Sequence, residues 1–140
     1  MHSEIARIGV TGHKTLKNEV ILRQSVKKVL SLIDEILPIN LKHTRYIFSI
    51  ISPLAEGADR LVAGEVIDRE ESRGIDEQVL DVVLPLPLDD YIQDFKTERS
   101  KKEFKAFISK AKSVSRLIML RLVMLPMRML GIMWLITVIS

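Results

Sequence analysis

Apolar residues fall into short runs separated by stretches of amphipathic spacing. Ile5 to Val10 is apolar and largely β-branched, and it meets Thr11-Gly12-His13, which breaks any helical period; the pattern predicts a buried strand and a turn. From about Lys17 to Leu37, Leu22, Val26, Val29, Leu30, Ile33 and Leu37 recur at helical spacing, and Pro38 ends the run. Tyr46 to Ile51 predicts a second strand, stopped at Ser52-Pro53. A second helix is expected from near Ala58. It buries Leu61, Val62 and Val66, and its charged end Asp68-Arg69-Glu70-Glu71 runs out at Gly74. Val79 to Leu84 predicts a third strand, closed by Pro85 and Pro87. Ser100 and Glu103 have capping-box spacing, and Phe104, Phe107, Ile108 and Ala111 follow on one helical face.

Strands apolar on both faces, alternating with helices, predict an α/β fold: a Rossmann-like three-layer sandwich around a parallel sheet. Three strands make only part of such a sheet, so the fold is expected to be incomplete at its C-terminal end, with an open edge that invites a second copy of the chain. Ligands of such sheets collect beyond the carboxyl ends of the strands, which singles out the loops at 11–16, 52–59 and 85–95.

Composition divides the chain. The formal net charge is +3, from 21 basic and 18 acidic residues. Every acidic residue precedes Phe104, whereas Lys105, Lys110, Lys112, Arg116, Arg121 and Arg128 follow it, leaving 15 basic against 18 acidic in residues 1–103, a net of −3. An acidic body argues against nucleic acid as a partner, because counterion release needs clustered cations. There is no cysteine, which excludes a disulfide framework and a thiolate metal site and fits the cytoplasm. His2, His13 and His43 lack metal-ligand spacing, and Met1 to Val10 does not read as a secretory signal.

The first loop sets Gly9, Thr11, Gly12 and His13 at a strand end ahead of a helix. It reads either as a tight turn with a solvated His13 or as an anion site in which His13 donates to a phosphate. In the second, Ser52-Pro-Leu-Ala-Glu-Gly-Ala-Asp-Arg60, Gly57 permits close backbone approach. Asp59 has a structural role as a first-turn carboxylate, and Glu56, Asp59 and Arg60 form either an internal ion pair or a ribose site. In the third, Tyr91 beside Asp89, Asp90 and Asp94 either stacks a base or packs in a capped turn.

Ile8-Gly-Val-Thr-Gly-His-Lys14, Ser52-Pro-Leu-Ala-Glu-Gly-Ala-Asp-Arg-Leu-Val-Ala63 and Leu84-Pro-Leu-Pro before Asp90-Tyr91 and Asp94-Phe95 together resemble the SLOG superfamily of Rossmann-like nucleotide-binding domains. Its members include the LOG nucleotide phosphoribohydrolases, often labelled lysine decarboxylase-like, and the Smf DNA-processing proteins. The resemblance covers roughly residues 4–112. It implies a nucleotide or nucleotide-derived small molecule at the strand ends, read by a sensing module of the kind linked to bacterial defence, with the Gly12 and Gly57 loops near phosphate or sugar. The LOG motif Pro-Gly-Gly-x-Gly-Thr-x-x-Glu is absent from this chain, so no catalytic residue, metal or further cofactor is expected. The alternative is a remnant of a LOG-like hydrolase.

The family pattern continues past residue 112 with Ala-Tyr, a glycine and Tyr-Val-Val-Asp-x-Cys-Asp, which this chain does not show. Joining the third base of each codon to the first two of the next allows that order across residues 127–139. Residues 113–140 are therefore read as an apolar basic tail produced by a shifted reading frame, or as a membrane-associating helix. Residues 117–140 are long enough for a bilayer of about 30 Å, although Arg121 and Arg128 oppose insertion and Pro126 adds a kink. Spanning and peripheral attachment both stay open.

Overall fold

The computed structural model describes residues 2–37, 44–116 and 133–138. Strand β1 (His2–Gly12) is followed by helix α1 (Glu19–Ile36), β2 (Thr44–Ser52), α2 (Ala58–Ser72) and β3 (Leu80–Leu84). Two helices come next, α3 (Leu88–Gln93) and α4 (Glu98–Lys110), and then strands β4 (Ala111–Arg116) and β5 (Met133–Val138). The five strands form one sheet in the order β4-β3-β2-β1-β5 with every pairing parallel. This is an α/β Rossmann-like arrangement.

Register decides which side chains meet the helices. Ala6 pairs with Phe48, Ile8 with Ile50, and Ile50 with Leu80. All five are buried, and with Val82 and Leu84 they make the apolar face on which the helices pack. Fully burying a side chain of this size contributes about 1.5–3 kcal/mol. α1 meets the core through Val26, Leu30 and Ile33, one stripe of its surface. α2 is buried on several sides because it runs between α1 and α4. At Gly64 an added Cβ would lie 3.8 Å from the Phe107 ring on one side and 4.0 Å from the Arg23 guanidinium on the other. β1 to β4 advance in one direction across the sheet, and right-handed crossovers then place α1, α2 and α4 in the same layer. The alternate positions point to the opposite face, where Arg7 reaches over β2 to Asp81 (3.4 Å) and Asp81 also accepts from the Ser113 hydroxyl (2.6 Å).

Several boundaries differ from the sequence pattern. β1 continues through Thr11 and Gly12, paired with Thr137 and Val138, so the chain turns at residues 13–18 and not at Thr11-Gly12-His13. The cap of α4 is Thr97, whose hydroxyl accepts from the Ser100 N–H. Ser100 lies a turn inside the helix, and its side chain faces α2. α3 forms where only a turn was expected. β4 has no apolar alternation to announce it, because five of its six residues are exposed; it is held by pairing with β3. The boundary placed at residue 112 falls inside this strand. Of the segment read as a membrane-associating helix, residues 117–132 lie outside the described residues, while Met133–Val138 is a strand beside β1. Among the described residues no helix is long and apolar enough to cross a membrane. Pro38 and His43 also lie outside them.

Candidate functional site

The strand order turns back at β1: β2, β3 and β4 lie to one side of it and β5 to the other. Such a reversal parts the loops that leave neighbouring strands and opens a crevice at their carboxyl ends. The loop after β1 stands there, and Thr11, Gly12, His13 and Lys14 are all exposed. Gly9 is buried within the strand.

The loop after β2 is pressed against this first loop. Gly57 has φ +87, and a Cβ on it would overlap the carbonyl oxygens of His13 and Lys14, so only glycine fits. The Ala58 N–H donates to the His13 carbonyl at 3.0 Å. The close approach expected of Gly57 is therefore made by the protein's own backbone, which occupies the first amide of α2 that a phosphate would use. Ser52 is buried, and its Oγ accepts from the Leu54 N–H at 3.0 Å, bracing a turn in which Leu54 has φ 55. Asp59 Oδ2 accepts from the Ala55 N–H at 3.2 Å. Burial raises the Asp59 carboxyl above its usual range, opposed by the Ala55 hydrogen bond and the charge of Arg60.

Arg60 is 5% exposed. Its Nε donates to the Leu54 carbonyl at 3.0 Å, and Nη1 donates to the Ser100 carbonyl (3.0 Å) and hydroxyl (2.9 Å). The guanidinium stands over the Phe95 ring at 4.4 Å and is 3.8 Å from Glu103. Ser100 Oγ in turn donates to Glu56. Burial lowers the Arg60 pKa, while Glu103 and Glu56 oppose that shift. Of the roles read for Glu56 and Arg60, the contacts formed are internal ones. Tyr91 packs edge-on against Phe95 (5.1 Å) and Phe104 (5.6 Å) and is 7% exposed. Its ring is thus part of the aromatic packing and presents no open platform to a base. Burial raises its hydroxyl pKa, helped by the nearby charge of Asp59.

Beside the first loop a groove of about 530 Å³ runs over α2 between the N-terminal turns of α1 and α4. Its floor is Gly57, Arg60, Leu61 and Gly64. The carboxylates along it are engaged: Glu19 with Arg23 (3.9 Å), Glu103 with Arg60, and Glu56 with Ser100. Lys14 and Arg99 also line the groove, and among the described residues neither has a carboxylate within ion-pair distance. Arg60 Nη2, buried beneath, has no acceptor among the described residues. The groove thus carries unmatched positive charge where three helices start, a field that favours an anion.

The structure gathers Thr11, Gly12 and His13 at the end of β1 and Glu56, Gly57 and Arg60 in the groove, while Gly9, Ser52 and Tyr91 are interior. Sequence reading passed over Lys14 and Arg99. Only their convergence across α2 distinguishes them from other surface cations. Among the described residues no group of acidic or histidine side chains is placed to hold a metal ion. Comparison with family models, with curated proteins and with solved structures gives no match.

Proposed function

We propose that this chain binds a nucleotide or nucleotide-derived ligand at the carboxyl ends of its strands and acts as a sensing module. The observation that carries this reading is the groove beside the β1 loop, in which Lys14 and Arg99 have no carboxylate partner among the described residues. The reversal of strand order at β1 and the SLOG-like loops support it. Phosphate oxygens belong with Lys14 and Arg99, and sugar and base with the exposed Thr11, Gly12 and His13 beside β5.

Calorimetric titration with a panel of nucleosides and their mono- and diphosphates tests the reading. Phosphorylated ligands are expected to bind at least tenfold more tightly than the parent nucleosides. Lys14→Ala and Arg99→Ala are each expected to weaken binding roughly fivefold to tenfold, about 1–1.4 kcal/mol. No heat with any nucleotide, or binding indifferent to both substitutions, would overturn the proposal. Release of base from nucleoside monophosphates would favour the hydrolase alternative.

A further inference from the structure

α1 carries two apolar stripes. One, Val26, Leu30 and Ile33, is buried in the core. The other is in solvent: Ile21 is 55% exposed, Val29 37%, Leu32 53% and Ile36 65%. Spacings of 3 and 4 residues from Val29 to Leu32 to Ile36 are those of a helix-pairing seam. Successive residues turn by about 100°, which puts this stripe on the flank of α1 facing away from α2; the polar partners Arg23, Lys27 and Asp34 occupy the flank toward α2. Exposed large apolar residues aligned on one helix mark an interaction surface.

We infer that this stripe pairs with the same stripe of a second copy of the chain, the two α1 helices antiparallel about a two-fold axis. Charge selects this occupant. Lys28 and Glu35 are exposed and one heptad apart on the outer margin of the stripe, and neither is in an ion pair among the described residues. An antiparallel pairing that sets Val29 against Leu32 of the partner subunit brings Lys28 of each copy within about 3 Å, along the axis, of the partner's Glu35. The symmetry makes that pair twice. Ile36 then faces Ser25 of the partner subunit. A parallel pairing, whose two-fold axis runs along the helices, would carry the two Lys28–Glu35 margins to opposite sides of the seam and leave these charges unpaired, so the pattern favours the antiparallel one.

Sedimentation of the full chain over a range of concentrations tests the inference. The expected result is a species of twice the 16.0 kDa chain mass that dissociates on dilution. Leu32→Glu is expected to weaken the dimer at least tenfold while leaving the circular dichroism spectrum unchanged, because its side chain is 53% exposed on the single chain. Lys28→Glu and Glu35→Lys are each expected to weaken association, and the double variant to restore it. A chain that stays monomeric at every concentration, a dimer indifferent to Leu32→Glu, or a double swap that fails to restore association would each overturn the proposal. So would a monomer that co-sediments with anionic phospholipid vesicles and loses that property with Leu32→Glu.

Discussion

Charged residues inside this molecule are tied to particular partners. Glu70 is completely buried and is held by Arg69 and by Arg73 (3.2 Å), with Arg69 continuing to Asp34 (3.0 Å) and standing over the Phe48 ring at 4.2 Å. The sequence presented Glu70 as part of a charged helix end, and nothing in the spacing separates it from Asp68 or Glu71. Asp59 shows the opposite imbalance: burial costs its charge more than its contacts return, so its carboxyl titrates above the ordinary 3.8. A carboxyl raised on folding adds stability that is full below about pH 4 and lost as pH rises through the folded value. Asp59→Asn keeps an acceptor for the Ala55 N–H and has no charge to bury. It is expected to melt higher than the parent at neutral pH, with the difference shrinking as pH falls toward 4. Melting temperatures across that range check this, and a constant difference would refute it.

Among the elements, α4 was legible as a helix but not in its start. Two hydroxyl residues, Thr97 and Ser100, each fit an N-cap. Backbone geometry chooses Thr97, which is extended at φ −120 and accepts from the Ser100 N–H, while Ser100 serves Arg60 and Glu56. Thr97→Ala is expected to cost about 1 kcal/mol in chemical denaturation, the usual loss for a cap. Ser100→Ala is expected to cost more than Thr97→Ala, because it strips a hydrogen bond from a buried guanidinium and another from Glu56. Equal losses, or the reverse order, would return the cap to Ser100. β4 was not legible at all. Ala-Lys-Ser-Val-Ser-Arg has neither alternation nor an apolar run, and its strand character comes from the ladder with β3.

For the whole molecule, the sheet order sets a gradient of stability. β2 lies inside the sheet, and its Phe48 and Ile50 are 0% exposed beneath the helices. β4 is an edge strand with most side chains in solvent. Amide exchange follows local opening, so β2 is expected to exchange slowest and β4 at least tenfold faster, measured by hydrogen–deuterium exchange with mass spectrometry. Comparable protection of the two strands would show that β4 is covered in solution.

The sequence by itself determined the alternation of strands and helices through β3, the parallel sheet, and the loops worth inspecting. Those features rest on local signals: β-branched runs, helical periodicity and breakers at Gly74 and Pro85. Tertiary structure alone decided the fate of particular residues in those loops. Gly57 accommodates the His13 and Lys14 carbonyls, Arg60 spans from α2 to α4, and Tyr91 joins an aromatic cluster. It also drew Val138, Lys14 and Arg99 into place, and left a second apolar stripe of α1 uncovered. The reason is physical: a spacing pattern records which faces a segment has, whereas neighbours distant in the chain determine what each face meets.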